Sequence, residues 1–406
     1  MKKRPKIKQF FETSKEYRWY ILFTVVGICL LSFLLWFRLG SLTGGKAAAI
    51  ELQTKAAAAS WQAIILNPLN APYKILQKIV IASGHSGITS LRLISTFFGL
   101  AAVCLFYFVA RQWHSMRVAL LASWLFISSA WFLHIARLGS PDILLLTAIL
   151  AVIVVLSPNR RGRQSALALP STLLILSVVL YVPGMVWLVL AGGIVQRKNI
   201  VEAWKASPQN LIRIVSVGAS AVLVIPLIYA LVKTPYLLKD WLGYQIAGPV
   251  GTHILVSMFH NVANAASSFV YQSSFNASYW LGNQPLLSSF EIAMALLGSY
   301  FYACHLRAAR TRLIIILSAV AWFVIGVDGV MNITILVPFA YLLVAAGIAY
   351  ILQVWLKTFP NNPVGRNFGI TVVMVAVMLT SIYQTRSYFV AWAYNSETIK
   401  TFDTKL

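Results

Sequence analysis

Two carboxylates stand where chemistry could be done. The chain has 10 Asp+Glu against 33 Lys+Arg, so each acid among its apolar stretches is conspicuous. Glu51 sits in "AAAIELQTKAAAAS", residues 47–60, just beyond the first long apolar run. A carboxylate held between protein and lipid headgroups is partly desolvated, which raises its pKa and makes it a better base. The plain alternative is a solvated residue on an interfacial helix. Asp142 sits in "HIARLGSPDILLL". Pro141 opens a helix there, so Asp142 falls in the first turn, where an acid complements the helix dipole with no further role. Arg137 precedes it, and His134 lies one turn below Arg137 on the preceding helix. Together they form a cluster able to handle a phosphate and a hydroxyl; singly, His134 reads as a satisfied interfacial histidine.

The elements that must position these groups lie in a bilayer. Hydrophobic residues make up 59% of the chain and charged residues 11%, against roughly 25% charged in soluble domains. Apolar runs long enough for membrane helices are Trp19–Phe37, Ile88–Ala110, Val118–Ile135, Ile143–Leu156, Ala166–Val182, Met185–Val195, Leu211–Leu231, Phe290–His305, Leu313–Val327, Met331–Leu356 and Phe368–Tyr383. The sequence therefore predicts an all-α polytopic bundle of about eleven membrane helices. Pro183-Gly184 marks a tight hairpin or a re-entrant element. The first run is too long for a secretory signal and no A-x-A site follows, so it reads as an anchor. Cys29, Cys104 and Cys304 all lie in apolar runs and read as buried small side chains. No spacing of Cys and His resembles a zinc site.

Net charge +23 would fit nucleic acid, but its placement says otherwise. Basic clusters ("MKKRPKIK", Arg111 to Arg117, "NRRGRQ", "QRKNIVEAWK", "HLRAARTR", "KTFPNNPVGR") recur at alternate ends of the apolar runs. This is the pattern of cytoplasmic loops, with contact to anionic lipid beside it. The expected organisation is a cytoplasmic basic tail at 1–18, one membrane domain at 19–384 and an outward tail at 385–406. Long outer loops occupy 38–87 and 233–289. In them, "YKILQKIV" sets Ile75, Leu76 and Ile79 opposite Lys74, Gln77 and Lys78. "HNVANAASSFV" sets Val262, Ala265, Ala266 and Phe269 opposite Asn261, Asn264 and Ser268. Both fit helices lying in the membrane interface. The outward acids are then Glu51, Asp142, Asp240, Glu291, Asp328, Glu397 and Asp403. No repeat is evident, and Asn276-Ala277-Ser278 reads as a chance sequon.

The plan of one helix, a long outer loop with an acid near its start, then "NPLNAPYKIL", "GITSLRLISTFFGLAAVCLFYFVAR" and "LHIARLGSPDILLL", resembles the amino-terminal half of GT-C integral-membrane glycosyltransferases. The nearest branch is that of the protein mannosyltransferases and aminoarabinose transferases, over about residues 20–200. That branch carries an Asp-Glu pair in the first outer loop; here Ile50-Glu51 stands in its place. Asp142 matches the second acid of the branch. The resemblance implies inverting sugar transfer from a polyprenyl-phosphate donor to a glycan, lipid or protein hydroxyl on the outer face of a bacterial plasma membrane. Glu51 would serve as base with Asp142 beside it. Arg137, His134, Lys233 and Lys239 would neutralise the phosphate. Some members use a divalent metal (Mg or Mn), but no dense acidic set is visible here and the expected metal ligands are none. A transporter or flippase is the rival class, although transporters carry ionisable groups within their spans and these spans are nearly free of charge. A catalytically inactive scaffold of the same fold is the other alternative.

Overall fold

The computed structural model describes residues 27, 29–30, 32–157, 168–206, 210–243, 254–271, 284–328 and 330–405. The amino-terminal tail, most of the first apolar run, "NRRGRQ", the Asn276 sequon and two stretches of the second long loop lie outside the described residues.

After the helical residues 32–36 the first loop folds into β1 (Lys46–Ala47), α1 (Ala49–Ala57), α2 (Trp61–Leu66) and α3 (Ala71–Ala82). Ser60 caps α2 by accepting from Ala63 N–H at 3.0 Å, satisfying one of the free amides of the first turn. "NPLNAP" breaks α2 from α3, and Asn70 there takes a left-handed conformation at φ 57°, which Asn tolerates better than most residues. Its N–H donates to Tyr181 O at 2.7 Å, tying the loop to the bundle. In α3 the polar residues Tyr73, Lys74 and Gln77 are buried, while Ile75 and Ile79 are exposed. A helix that turns its apolar stripe away from the protein needs lipid on that side.

The bundle follows: α4 (Ile88–Trp113), α5 (Met116–Ser128), α6 (Ala130–Arg137), α7 (Asp142–Leu156), α8 (Ala168–Val179), α9 (Met185–Val195), α10 (Arg197–Ala206), α11 (Asn210–Lys233), α12 (Leu237–Leu242), α13 (Ile254–Val270), α14 (Ser289–Ala303), α15 (Ala309–Asp328), a 3₁₀ segment Val330–Ile335, α16 (Val337–Thr358) and α17 (Pro363–Arg386). A π-helical turn, Ser387–Trp392, extends α17; α18 (Ser396–Thr401) and β2 (Thr404–Lys405) end the described chain. Strand β2 pairs antiparallel with β1.

The chain is an all-α membrane bundle. The expected runs after the first all overlap these helices; Val118–Ile135 falls on two of them and Met331–Leu356 begins in the 3₁₀ segment. Among the described residues, five helices are long and apolar enough to cross a membrane alone; α7, α8 and α9 are apolar but shorter. The run Val118–Ile135 is not one straight helix: α5 and α6 meet at 63°. The break falls at Ser129, whose Oγ accepts from Phe132 N–H at 3.4 Å and restarts the helix as a cap. Gly184 adopts φ 75°, so Pro183-Gly184 is a tight turn between α8 and α9 that glycine makes without strain.

Small residues set the closest packing. A methyl group at Gly298 of α14 would strike Leu343 O of α16, and one at Gly347 would strike Met294 O, the backbone approach that small residues permit in membranes. Gly99 of α4 likewise faces Ala136 of α6. Phe106, Phe126, Phe132 and Tyr341 interlock in the centre, with ring centroids 4.6 to 6.5 Å apart. The cysteines depart from expectation: Cys29, Cys104 and Cys304 are all exposed on the protein. In a bilayer an apolar run has a lipid-facing side, so an apolar setting does not entail burial against protein.

Candidate functional site

Glu51 is the third residue of α1 and is fully buried. Arg92, on the second turn of α4, meets it with two parallel bonds: Nε to Oε1 at 2.8 Å and Nη2 to Oε2 at 2.9 Å. Ala48 N–H donates to Oε2 at 3.0 Å and Gly139 N–H to Oε1 at 2.8 Å. A carboxylate has about four acceptor positions, and all four are taken. Gly139 is what lets the backbone come so close, since a methyl group there would lie 3.1 Å from Oε1. Arg92 is equally engaged. Its Nη1 donates to Leu39 O and Thr43 Oγ1, both at 3.0 Å, and Nη2 to Lys46 O at 3.1 Å. The pair thus knots together the end of the first apolar run, the first outer loop, α4 and the turn before α7. Removing one partner of such a pair costs about 3–5 kcal/mol, because the other is left buried and unmatched.

Asp142 opens α7. Its half-buried side chain accepts from Ser140 Oγ at 2.7 Å on Oδ2, and the rest of the carboxylate is less committed than that of Glu51. Ser140 O in turn accepts from Ser95 Oγ at 3.3 Å, and Ser95 pairs with Tyr73 Oη at 2.7 Å. Burial pushes the Tyr73 phenol up; the Ser95 contact works against this, and the charges of Glu51 and Asp142 add to it. Tyr73 therefore stays protonated and donates to Ser95. Two supports, Glu51 on Gly139 and Tyr73–Ser95 on Ser140, fix the turn that presents Asp142. Gly139 and Asp142 are three residues apart, a span of at most roughly 10 Å along the chain, so both acids lie at one end of the bundle.

Beside this turn a small cavity of about 10 Å³ is lined by Leu39, Leu42, Thr43, Arg92, His134, Arg137, Leu138, Tyr388, Trp392 and Phe402, room for about one water molecule. Arg137 donates to Leu34 O at 2.6 Å and Phe37 O at 2.7 Å, carbonyls at the end of the first helix. Its guanidinium lies 5.5 Å from the Tyr388 ring and 4.9 Å from that of Phe389. The His134 ring meets Trp392 edge-on at 4.7 Å. The chain's last described residues close the cavity: Phe402 is buried, 5.7 Å from the Arg92 guanidinium and 5.7 Å from the Trp392 ring. The β1–β2 pairing holds this strap against the strand that leads into Glu51.

His134 and Arg137 line the cavity with Arg92, the partner of Glu51, while Asp142 stands at the far end of the turn that Glu51 holds through Gly139 and is not among the lining residues. Lys233 and Lys239 are exposed, on α11 and α12, which pack chiefly against α8, α9 and α2. Among the described residues no group of three His, Cys, Asp or Glu gathers for a metal. A hard cation needs several oxygen ligands, and Glu51 gives its oxygens to Arg92 and two amides, so these residues do not offer a divalent metal an acidic pair. Sequence reasoning missed Arg92, although a lone charge inside the run Ile88–Ala110 is a signal in itself.

No family model matches the sequence, and no curated protein is similar to it in sequence. Solved structures do match by shape. A crystal structure of ArnT from Cupriavidus metallidurans in the apo state superposes with TM-score 0.52 at 13% identity, covering 96% of this chain and 77% of that one. ArnT bound to undecaprenyl phosphate superposes with TM-score 0.53 at 14% identity, covering 95% and 76%. The chain shares its fold with these ArnT structures, in keeping with the GT-C fold expected from the sequence. Within this fold, Glu51 lies in the loop before α4 and Asp142 at the start of α7, and the bundle makes the chain an integral membrane protein.

Proposed function

We propose that the protein is a membrane glycosyltransferase that moves a sugar from a polyprenyl-phosphate donor to an acceptor hydroxyl at the outer membrane face. Three features support this: the GT-C fold, its likeness to ArnT bound to undecaprenyl phosphate, and the charge alternation that sets the first outer loop outward. The observation that carries it is the Asp142 turn, braced by Glu51 and Tyr73–Ser95 beside a cavity walled by two arginines and a histidine.

On this reading the two acids exchange the roles expected of them. Glu51 has no vacant lone pair for a proton, so it acts as the brace. Asp142 is the carboxylate that takes the acceptor's proton while the hydroxyl oxygen bonds to the sugar's anomeric carbon. The anomeric carbon–oxygen bond to phosphate breaks, and polyprenyl phosphate leaves with the bonding pair. Arg137 and His134 act on that charge from within the protein wall and not by direct contact, since the cavity they line holds about one water molecule; Lys233 and Lys239 stand apart from the turn and act only at the outer approach. A positioned base contributes roughly a hundred- to ten-thousandfold in rate. The inactive scaffold is the second reading, favoured by two observations: Glu51 is wholly committed to Arg92 and to the amides of Ala48 and Gly139, and the place before it is Ile50. Binding of undecaprenyl phosphate to purified protein, followed by release of polyprenyl phosphate from a panel of polyprenyl-phosphate sugars in the presence of glycan, lipid and peptide hydroxyl acceptors, separates the two. The scaffold binds without turnover; the transferase turns over one donor.

A further inference from the structure

A second carboxylate is buried deeper in the bundle, and the reaction outlined above does not use it. Glu291, on the first turn of α14, is fully buried and has no cation among its bonded partners. Four donors converge on it: Ser288 N–H and Ser288 Oγ, both at 2.8 Å to Oε2; Gln384 Nε2 of α17 at 3.0 Å, also to Oε2; and Tyr341 Oη of α16 at 2.9 Å to Oε1. Ser288 alone would satisfy the helix cap. The bonds to Tyr341 and Gln384 reach across two other helices.

What they do is visible at Gln384. A carboxylate only accepts, so Glu291 forces Gln384 to turn its NH₂ toward it. The Gln384 carbonyl oxygen then points the other way, and it accepts from Ala130 N–H at 3.4 Å. Ala130 is the first residue of α6, directly after the 63° break. A helix start leaves amides without partners in its own helix, and the buried Gln384 carbonyl supplies one for Ala130. Ser128, on the other side of the break, is tied to the same helix α17 through Ser381 at 2.9 Å. Helix α6 then carries His134 and Arg137, and its last residue leads into the Gly139–Asp142 turn.

We propose that Glu291 is a positioning residue for the candidate site: by fixing the orientation of the Gln384 amide it anchors the start of α6, and so sets where His134 and Arg137 stand in the cavity. The purpose given to those two residues rests on the transferase reading; the anchoring itself does not. An unbraced Gln384 can flip, presenting NH₂ to the Ala130 N–H, donor against donor.

The test measures α6 without any ligand. Hydrogen–deuterium exchange is followed by mass spectrometry on the full chain in lipid nanodiscs. In Glu291→Leu both acceptor oxygens are gone and nothing holds the Gln384 NH₂. Peptides covering 129–137 should exchange roughly tenfold faster, the effect of losing one buried hydrogen bond, while peptides from α4 and α9 stay within twofold. The double variant Glu291→Gln with Gln384→Glu puts an acceptor between the 291 amide and Ala130 N–H, and it should keep most of the protection. Unchanged exchange at 129–137 in Glu291→Leu overturns the proposal. So does a uniform rise through the bundle without rescue, which marks a purely structural carboxylate. A parallel measurement of undecaprenyl phosphate binding separates the two readings: no binding by the wild-type protein defeats the transferase reading and leaves the exchange result to decide the anchor.

Discussion

Replacing Arg92 with methionine strikes the knot that holds the site. The substitution keeps length and apolar volume but removes five donated bonds, two of them to Glu51. Glu51 is left fully buried with only two amides facing it. The missing partner costs about 3–5 kcal/mol, and the lost bonds to Leu39, Thr43 and Lys46 add about 1 kcal/mol each. Glu51→Leu, by contrast, leaves Arg92 three partners, so its loss stays near about 3–5 kcal/mol. In the double variant neither charge remains to be stranded. It should be more stable than the sum of the single losses by about 3 kcal/mol. Reversible unfolding in mixed micelles of rising SDS fraction gives the three differences. Losses that add to within about 0.5 kcal/mol, the behaviour of independent sites, would refute the brace.

Other expectations follow from the same geometry. Burial holds the Lys74 amine down at about 8, against 10.5 for a free lysine; between these values the unfolded chain binds more protons than the folded one. Raising pH from about 8 to 10.5 should therefore stabilise the fold by up to a few kcal/mol, and Lys74→Met should remove that slope in pH-dependent unfolding. Phe402→Ala opens the cavity wall; it should lower stability by about 3 kcal/mol and make a cysteine placed at Leu138 react faster with an aqueous thiol reagent, with unchanged labelling counting against the strap. Gly347→Leu drives a side chain into Met294 O and should unfold the α14–α16 pair or abolish expression of folded protein. A cysteine at Arg161 should label only from the cytoplasmic side, and outside labelling would reverse the proposed topology.

Much of the fold was legible because its causes are local. Run length and basic clusters define helices one at a time, and "NPLNAP" and Pro183-Gly184 break the chain where their residues demand. The bend at Ser129 was not legible, since "FISSAWFLHIAR" continues an apolar pattern across it and the amides it frees are answered from α17, about 250 residues away. The site was half legible. Glu51 and Asp142 stood out as acids in apolar surroundings, yet composition cannot say whether a carboxylate is free or matched. That depended on Arg92, 41 residues on, and on the amide of Gly139. Glu291 stood among the outward acids, but its bonds to Tyr341 and Gln384 exist only once three helices pack. Lys233 and Lys239 share a side with the site only in the topology expected from the basic clusters, and side of membrane is a weaker constraint than position within it.

The central claim is that Asp142, on the turn that Glu51 holds through Gly139, is the base of a transferase acting on a lipid-linked sugar. Its most direct measurement is single-turnover release of polyprenyl phosphate from a panel of polyprenyl-phosphate monosaccharides, each mixed with a panel of glycan, lipid and peptide hydroxyl acceptors, with wild-type protein and Asp142→Asn in the same nanodiscs. The account predicts turnover of at least one donor by the wild type. It also predicts a loss of roughly a hundred- to ten-thousandfold in Asp142→Asn, with affinity for undecaprenyl phosphate unchanged. Turnover by Asp142→Asn at the wild-type rate would contradict it.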